Sequence, residues 1–260
     1  MNRLNHLSLA ASLFALTTGL CFAQAQPPLQ TQPPAPIVQS APERTASPAP
    51  NSNVSCCGVI TPQGRRMIAL LDSLDVTHHW LANERVDWKT GDANHGGEYI
   101  PHDTHCSAFA SALSLRLHVY LLRPPEHKTS LLASAQGRWL ADGNGGWVSV
   151  SAAEAQRRAN LGDFVVVNYV SPDAHKPGHI AIIRPSEKTA AQLAKDGPEI
   201  TQAGGHNYAD NVAANAFTFH PGAWPNKVRY YAHPVDWTKV TGRIDPADMQ
   251  ENPVNSSTQP

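Results

Sequence analysis

The stretch Asp103-Thr104-His105-Cys106-Ser107-Ala108-Phe109 places a lone cysteine where an apolar helix is expected to begin. Phe109, Leu113, Leu117 and Leu121 follow four apart, with Ala112 and Tyr120 beside them, which is one face of a 3.6-residue period. Asp103 or Thr104 is the expected N-cap. A thiol at that point faces unpaired main-chain N–H groups and the positive end of the helix dipole, and both favour the nucleophilic thiolate. The competing reading is a small apolar residue packed under the helix. A cysteine nucleophile also needs a base within hydrogen-bond reach and a third group that holds the base's ring. His179 is the candidate base, because Gly178-His179 opens a strand and so puts an imidazole at a sheet end. Gln202 is the candidate third group. It is a neutral amide on the strand expected beside His179, and its carbonyl could accept from one ring nitrogen and fix the tautomer.

The elements that must position these residues read as helices first and strands afterwards. Pro62 to Leu74 predicts a helix with Met67, Leu70, Leu71 and Leu74 on one side, and His78-His79-Trp80-Leu81 continues it or caps its end. Residues 85–101 form a loop leading into the Cys106 helix, which Pro124-Pro125 stops. Ser130 to Leu140 predicts a short helix and 142–146 a turn. Ser151-Ala152-Ala153-Glu154 has capping-box spacing and opens a helix to about Asn160. Asp163 to Val170 is a continuous β-branched run that fits a buried strand. Pro172 to Pro177 is a turn, and Gly178 to Arg184 is the expected hairpin partner. A polar helical segment over 187–196, a strand over 199–203 and a fourth strand over 227–233 complete the pattern. This order predicts an α+β fold with N-terminal helices packed on a small antiparallel sheet.

Residues 1–25 read as a secretory signal: a mildly positive start, an apolar run over 7–22 and an Ala23-Gln24-Ala25 cleavage pattern. Leu20 stands before Cys21 where a lipobox needs a small residue, so a lipid anchor is not expected. Residues 26–53 are rich in Pro, Gln, Ala and Ser and read as a disordered spacer, and 244–260 as a disordered tail. One domain remains, residues 54–243, long enough for a sizeable core. The expectation is an exported protein, periplasmic or extracellular, with no stable membrane insertion. Formal net charge is −1 and charged residues make up 16% of the chain, so no basic field points to nucleic acid.

Removing Cys21 with the signal leaves Cys56, Cys57 and Cys106. An odd count in an oxidising compartment leaves at least one thiol unpaired within the monomer. Cys56 and Cys57 could join each other, join another chain, or stay free, and a bond from either to Cys106 would contradict catalysis.

Two other classes compete. His78, His79, His95, His102 and His105 cluster near Cys106 and could make a metal site, although none of the spacings matches a zinc motif. Trp80, Trp88, Trp139, Trp147 and Trp224 could stack on sugars in a non-catalytic binding module. The catalytic reading needs no cofactor and no metal.

Three segments together resemble a known family. His105-Cys106-Ser107-Ala108-Phe109 opening a helix, Gly162-Asp163-Phe164-Val165-Val166 as a strand, and Gly178-His179-Ile180-Ala181-Ile182 as the next are similar to NlpC-type and CHAP-type cysteine peptidases and amidases. The resemblance spans roughly residues 99–208. It implies a papain-like fold and cleavage of amide bonds in peptidoglycan, in the stem peptide or at the sugar–peptide link. It assigns Cys106 as nucleophile, His179 as general base and Gln202 as the orienting residue, with His206 or Asn207 as alternatives for the last role. The family commonly has Asp before the cysteine and Gly two residues after it, where this chain has His105 and Ala108. The Cys106 N–H would supply one oxyanion donor, and Tyr99 or His102 in the preceding loop the second.

Overall fold

The computed structural model describes residues 55–94 and 99–243. The proposed leader, spacer and tail lie outside these residues, as does His95. The described chain is an α+β protein built on six antiparallel strands in the order β1-β6-β2-β3-β4-β5. The helices are α1 (Pro62–Ser73), α2 (Cys106–Arg116), α3 (Leu132–Ala141), α4 (Ala152–Asn160), α5 (Ala190–Asp196) and α6 (Ala213–Ala216). The strands are β1 (Val148–Val150), β2 (Phe164–Tyr169), β3 (His179–Ile183), β4 (Glu199–Gln202), β5 (Tyr208–Val212) and β6 (Val228–His233).

The period-two alternation of the central strands builds two cores. Phe164, Val166, Ile180, Ile182 and Tyr231 face one side, under α1, α2 and α3. Val165, Val167, Ala181, Ile183, Tyr230 and Ala232 face the other, against α4 and α6. This explains why β2 reads as an unbroken apolar run: both its faces are covered, and all six residues are buried. Each of its three valines contributes about 1.5–3 kcal/mol of burial. The β2–β3 hairpin pairs Tyr169 with His179 and Val166 with Ile182.

The Cys106 helix differs from its expected form in three ways. Its cap is His105, which makes no side-chain capping bond, and neither Asp103 nor Thr104 serves. It ends at Arg116, so Leu117 and Leu121 lie beyond it in the same core. It is buried on every side from Cys106 to Leu115, not on one stripe. Small residues make this possible, since Ser107, Ala108, Ala110, Ser111, Ala112 and Ser114 let neighbours approach closely. Two of the serines are partnered: Ser114 Oγ donates to Ser111 O (2.6 Å), and Gln136 Nε2 of α3 donates to Ser111 Oγ (3.0 Å).

Ser151 Oγ accepts from Glu154 N as expected, but the Glu154 carboxylate pairs with Arg157 and does not close a capping box. The reciprocal box forms instead at Thr189 and Gln192, opening α5. The edge strands β1 and β5 and the short α6 carry too little periodicity to be read from sequence. Cys56 and Cys57 are bonded to each other, and Cys106 is free. Among the described residues, no helix is long and apolar enough to cross a membrane.

Candidate active site

His179 is placed by the glycine before it. A Cβ at Gly178 would lie 2.2 Å from Tyr169 O and 2.6 Å from Ser134 Oγ, so only glycine lets β3 start against both β2 and α3. The imidazole that follows is buried, with 5% exposure, and its Nε2 lies 3.0 Å from Gln202 Oε1. The Gln202 amide is oriented in turn, because its Nε2 donates to His206 O at 3.0 Å. Its oxygen therefore faces the imidazole. That arrangement calls for a proton on His179 Nε2, leaving the Nδ1 lone pair free for a proton. Gln202 is thus the residue that touches His179. His206 contributes a main-chain carbonyl. Asn207 is spent elsewhere. Its Nδ2 donates to Val76 O (2.7 Å) and His79 O (2.9 Å), tying the β4–β5 turn to the segment after α1.

Cys106 is the first residue of α2, and it is 5% exposed. Burial pushes its thiol pKa up, against the smaller opposing effect of main-chain amides of Ile180, Ser107 and Cys106 itself. Burial also pushes the His179 pKa down, partly offset by the Gln202 bond. Both shifts favour a neutral thiol beside a neutral imidazole. The resting thiolate suggested by the helix dipole is outweighed by desolvation.

Cys106 approaches His179 through the next residue. Ile180 packs with Cys106 in the core beneath α2, while the His179 ring meets Phe217 edge-on at 5.2 Å on the other side. Thiol and imidazole flank the first residues of β3 from two directions, and no hydrogen bond joins them among the described residues.

A cavity of about 420 Å³ opens at this end of the sheet. His179, Gln202, Gly204 and His220 line one side, and Asn83, His102 and Thr104 line the other. Cys106 is not part of that lining, although Thr104 lies two residues before it. His102 is thus at the cavity, whereas Tyr99 is 69% exposed and outside the lining. His102 has a left-handed φ of 66°, held by its N–H donating to Asn83 Oδ1 at 3.0 Å. Asn83 N donates to Asp103 O (2.9 Å) and Asn83 O accepts from Ile100 N (2.7 Å), so Asn83 shapes the loop before α2. Asn83, His220 and Phe219, the last also lining the cavity, have no signal in the sequence. They come from loops and meet the site only through the fold.

Among the described residues, which exclude His95, the histidine cluster does not assemble as a metal site. His78 pairs with Asp75, His79 with Asp92, and His105 Nε2 lies 2.8 Å from Glu84 O. Among the described residues, no group of His, Cys, Asp and Glu could hold a metal ion. The tryptophans proposed as sugar platforms serve as core instead. Trp80 and Trp147 are buried, and Trp88, Trp139 and Trp224 pack against the two cores. No protein-family model matches the chain, and a search of the curated proteins finds no match.

Proposed function

We propose that the protein is an exported cysteine hydrolase of papain-like type, acting on amide bonds of peptidoglycan. The observation that carries this reading is the buried His179–Gln202 hydrogen bond, which leaves Nδ1 free at a cavity beside the N-terminus of the Cys106 helix. An imidazole with one nitrogen tied to an oriented amide and the other unspent is the arrangement a general base requires.

In this mechanism substrate enters the cavity and the thiol leaves its contact with the Ile180 amide to meet Nδ1. His179 takes the Cys106 proton as sulfur attacks the amide carbonyl. Because both groups rest neutral, this proton transfer accompanies the attack. The Cys106 N–H, first in the helix, donates to the developing oxyanion. His102 is the better placed of the two loop candidates for a second donor, since it lines the cavity. His179 then protonates the leaving amine, and water, deprotonated by the same imidazole, hydrolyses the thioester. Cleavage in the stem peptide and cleavage at the sugar–peptide link both fit this chemistry.

The test is digestion of purified peptidoglycan by wild type and Cys106→Ala, with product masses read out. Release of fragments by wild type alone supports the reading, and their mass identifies the bond. No Cys106-dependent release from wall or peptide substrates would overturn it.

A further inference from the structure

His179 has a second neighbour that the mechanism above does not use. The His220 ring lies nearly parallel to it, with centroids 5.5 Å apart and planes 21° apart. His220 belongs to the segment after α6, and Tyr169 of β2 packs against its ring at 5.4 Å. Its main chain is fixed on both sides: His220 N donates to Phe217 O (3.1 Å), and Ala223 N donates to His220 O (2.9 Å). The His179 imidazole is thereby enclosed by the Phe217 edge, the His220 face and the Gln202 amide.

We propose that His220 is a positioning residue: its stacked ring holds the His179 imidazole on Gln202, with Nδ1 turned to the cavity, and keeps water off its face. This assignment rests on the reading of His179 as the general base.

The groups facing His179 leave its charge to this enclosure. Gln202 of β4 is neutral, and Phe217 is apolar. His102 lies on the cavity wall before α2, and the Cys106 thiol approaches from α2 beside Ile180. Asp, Glu, Lys and Arg are absent from the described lining of the cavity. The His220 pKa is itself pushed down to about 4, first by burial and then by the neighbouring His179. His220 therefore stays neutral across the working range and acts as a ring, not as a charge. Burying an imidazole disfavours its protonated form, so uncovering it should raise its pKa toward the ordinary value near 6.5.

The experiment is an NMR titration of the imidazole resonances in the full mature chain, without substrate, for wild type, His220→Ala and His220→Phe. The acid limb of kcat/KM on peptidoglycan is measured alongside it. His220→Ala should raise the His179 midpoint on the order of one pH unit and move the acid limb the same way. His220→Phe, which keeps a ring in place, should hold the midpoint within a few tenths of wild type. An unmoved midpoint in His220→Ala overturns the proposal. So does a shift in His220→Phe as large as in His220→Ala, since the imidazole nitrogens would then be what matters. A midpoint that moves as expected in a chain that hydrolyses nothing upholds the positioning role, and only the hydrolase reading falls.

Discussion

Strand β3 has a buried polar cluster at each end, and the two are wired in opposite ways. At the Ile183 end, Asn160 and Gln156 spend every polar atom on the protein. Asn160 Nδ2 donates to Gly58 O (3.0 Å) and Ser186 O (2.9 Å), while its Oδ1 accepts from Ser186 N (2.9 Å) and Gln156 Nε2 (3.1 Å). Gln156 Nε2 also donates to Arg184 O and its Oε1 accepts from Glu199 N, each at 2.9 Å. Both residues are fully buried, and neither side chain keeps a free polar atom. At the other end His179 is also buried, yet it spends one nitrogen on Gln202 and keeps the other, beside a cavity. Burial of polar groups alone therefore does not mark a site. What distinguishes the His179 end is an unspent ring nitrogen beside a cavity, the arrangement that the proposed general base needs.

The largest effects should come from breaking the unspent end. Cys106→Ala is expected to lower hydrolysis by at least about 10³-fold, with an unchanged far-UV circular dichroism spectrum. A variant that still cleaves would show the thiol to be packing alone. Gln202→Ala should cost about 10²-fold in kcat/KM. The Gln202 bond raises the His179 pKa, so its loss should move the acid limb to lower pH, while Gln202→Glu, supplying a carboxylate, should move it higher. Limbs that stay in place in both variants would remove Gln202 from the site.

The same contrast explains what is legible in the sequence. The β2 run, the Gly178-His179 strand start and the hairpin between them can be read because apolar periodicity and an obligatory glycine are local signals. Gln202 can be placed beside His179 by strand order alone. The third-residue choice among Gln202, His206 and Asn207 cannot be settled that way. It depends on side-chain direction across the bulged β4–β5 pair, where the register shifts between Ile200 and Gln202. The cap of α2 escapes a reading by residue type, because Asp103 and Thr104 have capping chemistry but the backbone turns into helix only after His105. His220 is invisible for a different reason. It stands 41 residues after His179 with no periodic element around it, and only the packing of the segment after α6 brings it to the site. The thiol's charge state is not legible either, because the helix dipole is local, whereas the desolvation that outweighs it belongs to the whole core.

Breaking the other end should leave chemistry alone and cost stability. Asn160→Ala would strand the Ser186 carbonyl and N–H, at about 1–3 kcal/mol. For a domain of this size that is a drop in Tm of roughly 2–4 °C per kcal/mol. Activity per folded molecule at low temperature should match wild type. A large fall in kcat without a fall in Tm would contradict the division between the two ends.

The smallest effect separates the ends by pH. Glu199 lies beside Gln156 at the structural end, paired with Lys188 Nζ at 2.9 Å. Its carboxyl is pushed up to about 7, first by burial and then by a hydrogen bond to Asp210, with Lys188 opposing. In the unfolded chain the same group titrates near 4.5. Between those values the folded protein holds a proton that the unfolded chain has released. The stability this group contributes is therefore full below about 4.5 and is lost as pH rises toward about 7. Glu199→Gln keeps the side chain neutral throughout and should remove that part of the decline, as read from Tm between pH 5 and 7.5. In the proposed mechanism His179, at the far end of β3, sets the acid limb of hydrolysis, which should stay where it is. An unchanged Tm slope would mean that Lys188 keeps Glu199 ionised after all. A shifted acid limb would mean that charge at one end of the strand is felt at the other, and the two clusters would have to be treated as one.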